Sequence, residues 1–271
     1  MRLARFRHPS VDAVQDGEVR GDRVVAFADG STVLSRLESG DRTPADGREH
    51  PLAAVELELP HEPRAIFGIG KNYADHAAEM GGEPPATPLV FTKAPLAATG
   101  PSGPVRRPAA TRALDYEGEL AVVLGGLPDG TVGPAGYAVA DDVSARDLQE
   151  TEGQWTRAKG ADTFCPFGPW ITTADEVPDA EALRVRTWVN GDLRQDASTA
   201  DLIFGIDRLV AHLAEAITLR PGDLILTGTP AGVGRAMQRP DGSGQGVYLQ
   251  PGDVVRVEIE GLGVIEHPVV D

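Results

Sequence analysis

A chain of 271 residues is long enough for one large domain, or a large one with a small partner, and either buries a real core. Its formal charge of −16 argues against nucleic acid or an anionic membrane as partner, and its one cysteine, Cys165, excludes an intrachain disulfide and makes a reducing compartment the default. With 32 Gly, 22 Pro and 5% aromatic residues, the composition suits a turn-rich, mainly β (α+β) protein better than a helical bundle.

The start, "MRLARFRHPSVDAVQDG", has charge but no apolar core of signal-peptide length. No later segment approaches the roughly 20 apolar residues that span a bilayer, so a soluble, cytoplasmic protein is expected. "RVVAFADGSTVLSRL" reads as a hairpin turning at Asp29-Gly30, and the polar "ESGDRTPADGREH" follows it like a linker. Residues 1–58 are therefore expected to form a small N-terminal subdomain, with a catalytic domain over 59–271.

Strands dominate the remainder: "AIFGIG", "LVFTKAP", "ELAVVLG", "GYAVADDVS", "LRVRTWVNGDLRQ" with an Asn190-Gly191 type I′ turn, "DLILTGTP" and "DVVRVEIEGLGVIEHPVV". Helical patterns are few. One covers "YADHAAEM", a second starts at Ser144 in "SARDLQE" with that serine as N-cap, and a third runs through "ADLIFGIDRLVAHLAEAITL". In the third, Leu202, Ile206, Leu209, Leu213 and Ile217 recur at steps of three or four until Pro221-Gly222 stops it.

Within "LDYEGELAVVLG", Glu117 and Glu119 stand two apart where an apolar strand begins, so their side chains share a face. Like charges side by side repel unless something positive sits between them; alone, the pair reads as a solvated strand edge. "VADDVSARD" adds Asp142 where another apolar strand hands over to a helix. Three carboxylates without a cysteine or clustered histidine make an oxygen-only ligand set, which suits Mg²⁺, Mn²⁺ or Ca²⁺ and not zinc. In "NYADHAAEM", His76 and Glu79 are three apart and share a helix face, where the carboxylate can orient the imidazole. Lys159 in "WTRAKGADTF" reads by itself as a surface lysine, and "LTGTP" as a turn offering backbone N–H groups and the Thr229 hydroxyl to an anion.

In this order, "NYADHAAEM", "DYEGELAVVLG", "DDVSARDLQ", "RAKGADTFCPFGPW", "VNGDLRQ" and "LILTGTPAGVG" make residues 62–271 resemble the fumarylacetoacetate hydrolase family. The resemblance implies a rolled mixed β-sheet with a few flanking helices, assembled as a homodimer. It also implies metal ligands at Glu117, Glu119 and Asp142, holding Mg²⁺ or Mn²⁺. A general-base pair falls on His76 and Glu79, an active-site lysine on Lys159, and substrate contacts on Arg146, Gln149 and Thr229. Asp141 stands where many members have Asn, and Gly160 follows the lysine where Ser is frequent.

The implied chemistry is hydrolysis of a C–C bond in a 2,4-dioxo acid of the acylpyruvate or fumarylpyruvate type, with an enolate as the leaving carbanion's resting form. Decarboxylation, isomerisation or lysis of a related 2-oxo acid such as oxaloacetate draws on the same groups and stays open. A non-catalytic metal-binding dimer is the alternative from another class.

Overall fold

The computed structural model describes residues 1–11, 13–239, 241–242 and 244–271. Its centre is one long hairpin, Gly118–Gly126 against Val132–Asp141, paired antiparallel from Gly118 opposite Asp141 to Gly126 opposite Val132. Both faces of the first strand are covered, which is why "ELAVVLG" runs apolar without alternation. Leu120, Val122 and Leu124 are completely buried, each worth about 1.5–3 kcal/mol of transfer free energy.

A 12-stranded mixed sheet grows outward from this hairpin. On one side lie Leu224–Leu226, then Ile66–Gly70 in parallel with it, then Leu89–Lys93 as the edge. On the other lies Cys165–Thr173, against which Arg2–Arg7 pairs antiparallel with Arg2 opposite Thr172. Gln15–Arg20, Arg23–Ala26 and Glu49–Pro51 continue the sheet beyond it. Ala4, Phe6, Val19, Val24 and Ala26 form a small apolar cluster of their own in this region.

A five-stranded sheet, built from 105–106, 184–189, 192–198, 254–259 and 263–270, packs against the central hairpin. Gly118 sits at that contact: a Cβ there would lie 2.2 Å from the Thr187 hydroxyl and 3.0 Å from Val257. The glycine of "EGE" is thus required by packing on one face, while the two glutamates leave by the other. The Asn190-Gly191 turn has both residues at positive φ, 52° and 86°, as a type I′ hairpin needs.

Five helices flank the sheets among the described residues: α1 Val33–Ser39, α2 Ala74–Glu79, α3 Arg146–Thr151, α4 Thr156–Lys159 and α5 Ile206–Ala214. None is long and apolar enough to cross a membrane. The first replaces the expected second strand of a hairpin. Arg23–Ala26 pairs backwards with Gln15–Arg20, and after Asp29-Gly30 the chain enters α1 because Thr32 and Ser35 cap it reciprocally. Gly40, at φ 67°, ends it, so the "linker" begins as a helix cap.

Two other helix boundaries also differ from expectation. Ser144 does not cap a helix: it lies in the short strand Ser144–Ala145 opposite Leu114–Asp115, its hydroxyl donates to the Asp142 carbonyl at 2.9 Å, and α3 starts at Arg146. The long periodic segment yields only α5, capped by Gly205. Leu202 bridges to Tyr73 instead of joining the helix, and Ile217 is left exposed.

Candidate active site

The central hairpin sets the floor of the site. The ladder continues one step past Gly118, where Asp142 N donates to the Glu117 carbonyl at 2.8 Å, so Glu117 and Asp142 face each other at the hairpin's open end. Glu119 projects beside them, and its carboxylate accepts the Gly228 N–H at 2.7 Å from the turn after Leu224–Leu226. Oxygens of Glu117, Glu119 and Asp142 all lie within 4.8 Å of one another, and all three residues are buried.

Cations surround this cluster unevenly. Lys159, at the end of α4, places Nζ 2.7 Å from Glu117 and 2.7 Å from Asp142. Lys93, at the end of the edge strand, also binds Asp142 and donates to the Val143 carbonyl at 3.1 Å. Arg146 reaches Glu117 at 2.7 Å and Asp115 at 2.8 Å. Among the described residues no ammonium or guanidinium pairs with Glu119.

Titration follows from that asymmetry. Burial opposes ionisation of Glu117, yet Lys159 and Arg146 hold its carboxyl well below the usual range. Burial, with Asp142 and Glu117 adjacent, pushes Glu119 well above it. Lys159 is buried, but Asp142 and Glu117 raise its pKa, so it is an ammonium at neutral pH. Burial pushes the Cys165 thiol up to about 12, which leaves it inert as a nucleophile. The one under-compensated carboxylate, grouped with two others of oxygen-only chemistry, fits a divalent cation of the Mg²⁺ or Mn²⁺ type.

Above the floor opens a cavity of about 160 Å³. His76 and Glu79 of α2 meet at its wall: the carboxylate takes His76 Nδ1 at 2.8 Å and is itself fixed by the Gly232 N–H at 3.0 Å. With Nδ1–H donated to Glu79, Nε2 is the free basic nitrogen. Arg146, Gln149, Lys159, Thr229 and Glu117 line the same cavity, with Phe91 and Trp155 as an aromatic wall.

All nine residues singled out from the sequence converge on this region, though two have duties not foreseen. Arg146 is 1% exposed and spends Nε and Nη1 on Asp115, Glu117 and Gln149, which leaves only the buried, unpartnered Nη2 for a ligand. The "LTGTP" turn does present a backbone N–H to an anion, but that anion is Glu119. Thr229 is held between Gln195 Nε2, which donates to it at 2.8 Å, and the Gly118 carbonyl at 3.1 Å.

Several supporting residues were not visible in the sequence. Asp115 accepts N–H groups of Gly234 and Arg235 besides pairing with Arg146, and so ties the 230s loop to the floor. Gln195 accepts the Gly118 N–H at 3.0 Å. Asp141, the unusual acid next to Asp142, takes the Glu117 N–H at 2.8 Å and His267 Nε2 at 3.0 Å, both side chains being wholly buried. The only sequence signal for Lys93 was a charge closing an apolar strand.

The family model "Fumarylacetoacetate (FAA) hydrolase C-terminal" matches residues 65–270. The chain is 47% identical to Protein Rv2993c of Mycobacterium tuberculosis, over 100% of this chain and 98% of the relative. It is 39% identical to Oxaloacetate tautomerase YisK of Bacillus subtilis, over 81% and 75% respectively. Among solved structures, maleylpyruvate hydrolase from Sphingobium sp. SYK-6, in complex with manganese(II) and pyruvate, superposes with a TM-score of 0.76 at 31% identity, covering 100% of this chain and 99% of that one. The chain belongs to the fumarylacetoacetate hydrolase family, a family of enzymes, and has its fold.

Proposed function

We propose that this protein enolises a small 2-oxo acid, with keto–enol tautomerisation of oxaloacetate as its reaction. The observation that carries the reading is a base and an acid on one cavity: His76 with Nε2 free, and the Lys159 ammonium beside the carboxylate floor. A tautomerase relative at 39% identity supports it.

Glu117, Glu119 and Asp142 would hold the Mg²⁺ or Mn²⁺. A bound divalent cation supplies a Lewis acid for a 2-oxo carboxylate. Arg146 Nη2 orients the substrate's carboxylate. His76 Nε2 takes a proton from the carbon next to the keto group, the C–H electron pair becomes the C=C bond, and the carbonyl oxygen gathers the negative charge. Lys159 donates a hydrogen bond to that oxygen while the charge is on it; the oxygen then takes one proton from solvent to give the enol, and the proton on His76 returns to solvent, so that both residues end as they began. Glu79 keeps the imidazole in the tautomer that accepts. Phe91 and Trp155 shield the reacting carbon from bulk water.

Hydrolysis of a 2,4-dioxo acid is the second reading, because an oriented His76–Glu79 pair can equally deprotonate water. The two separate in one experiment. Purified protein with Mg²⁺ or Mn²⁺ is given oxaloacetate, followed by enol absorbance, and in parallel an acylpyruvate, followed by release of carboxylic acid. Faster enol–keto interconversion without acid release supports tautomerisation. Acid release with no effect on oxaloacetate gives the hydrolase. The homodimer and the cytoplasmic location belong to the same proposal; the exposed Leu96 and the open edge strand Leu89–Lys93 offer surface for a second copy, and light scattering would read the mass.

A further inference from the structure

We infer that Lys71 receives the far carboxylate of a dicarboxylic 2-oxo acid and so selects diacids over monoacids at this site. The inference rests on the 2-oxo acid reading of the cavity.

Four cationic side chains line the cavity, and three are already engaged by carboxylates: Arg146 with Asp115 and Glu117, Lys159 with Glu117 and Asp142, and Arg235 with Glu150. Lys71 pairs with no carboxylate among the described residues. Its backbone is the second observation. Lys71 has φ 56°, a left-handed conformation that costs a residue with a Cβ about 1–2 kcal/mol and that glycine adopts freely.

The loop that imposes this conformation is rigidly tied. Asn72 is buried, its amide donating to the Thr227 and Phe204 carbonyls at 2.8 and 3.1 Å while its oxygen accepts the Phe204 N–H at 2.9 Å. Lys71 is thereby held on the cavity wall, half-buried, between Gly70 and the start of α2. Gly82 leaves room for its head: a Cβ at that position would lie 2.8 Å from Lys71 Nζ. The pinned, left-handed backbone keeps Lys71 on the wall of the cavity.

The cations already placed give the ligand class. Lys93, Lys159 and Arg146 are taken up by the floor's carboxylates, and only Arg146 Nη2 is left over for the carboxylate next to the keto group. A second carboxylate needs another cation, and Lys71 is the one left uncommitted on the wall.

The test compares ligands with and without a far carboxylate on the Mn²⁺-loaded protein, wild type and Lys71→Met, Lys71→Arg and Lys71→Gly. Calorimetry with oxalate reads the floor, which has no use for Lys71. The KM for oxaloacetate, set against the inhibition constant of pyruvate, reads the far end. Lys71→Met and Lys71→Gly should raise the oxaloacetate KM roughly 10-fold or more, with a smaller change in kcat and with pyruvate and oxalate binding kept. Lys71→Arg should retain the diacid preference. If both neutral variants bind oxalate normally and keep the wild-type ratio of oxaloacetate to pyruvate affinity, the inference is overturned while the 2-oxo acid reading stands. Wild-type protein that binds neither oxalate nor pyruvate would overturn both, and oxalate binding without any oxaloacetate binding would overturn the role of Lys71 alone.

Discussion

The floor and the wall of the cavity are built on opposite plans. On the floor, Glu117, Asp142, Lys93, Lys159 and Arg146 are locked in a buried network in which nearly every charge meets an opposite one. On the wall, His76 and Glu79 pair on a six-residue helix with one backbone N–H on the carboxylate, and Lys71 pairs with no carboxylate among the described residues. A network of that density fixes position at the cost of freedom, which suits holding an ion. The sparse wall keeps basic and cationic groups available for a substrate. The floor thus fits a part common to many reactions, and the wall a part that decides which reaction and which substrate.

The largest effect should come from breaking the floor. Replacing Glu119 with Gln removes the carboxylate that lacks a cationic partner, and affinity for Mg²⁺ or Mn²⁺ should fall more than about 100-fold, with turnover falling in step. Calorimetry on Glu117→Gln, Glu119→Gln and Asp142→Asn would dismiss the assignment if ion binding were unchanged in all three.

Breaking the wall should separate binding from chemistry. His76→Asn should lose about 10²–10⁴-fold in turnover and still bind oxalate with the ion present. A joint loss of oxalate affinity would place His76 in the floor's machinery and erase the distinction.

A smaller effect belongs to the brace under the floor. His267→Leu strips a hydrogen bond from the buried Asp141, whose other oxygen holds the Glu117 N–H. Thermal melts should show a loss of about 1–3 kcal/mol, and Asp141→Asn in that background should recover part of it. Equal stability of His267→Leu and wild type would mean that the pair braces nothing.

The smallest effect is a pH trend. Glu119 has its folded pKa raised above the ordinary 4.5, so its protonation favours the fold. That contribution is complete below the unfolded value and is lost as pH rises through the raised one. Ion-free protein should weaken over that window, and added Mg²⁺ should lift the melting temperature more at about pH 8 than at about pH 5.5. A shift that is larger at the lower pH would contradict the charge assignment of Glu119.

What could be read from the sequence was what one hairpin carries. Glu117, Glu119 and Asp142 lie at the open end of a single antiparallel pair, and strand periodicity is enough to put the first two on one face. His76 and Glu79 were legible for the same reason, on one helical turn. Lys93, Asp115, Gln195 and His267 were not, because each reaches the site from a distant element and carries no local pattern. The helix Val33–Ser39 was hidden by a competing signal: Asp29-Gly30 reads as a hairpin turn, but the Thr32–Ser35 cap and the burial of Val33 and Leu37 decide the outcome. Nothing in the local pattern around Lys71 marks it; its φ of 56° appears only in the folded backbone.

Exchange of the methylene protons of oxaloacetate with D₂O, followed by NMR, tests enolisation most directly. The Mn²⁺ is exchanged for Mg²⁺ to keep the signals sharp. Wild-type protein with Mg²⁺ should speed exchange well above the rate with Mg²⁺ alone, and His76→Asn should return it close to that rate. Exchange no faster with wild-type protein than with Mg²⁺ alone would contradict the account, whatever the protein binds.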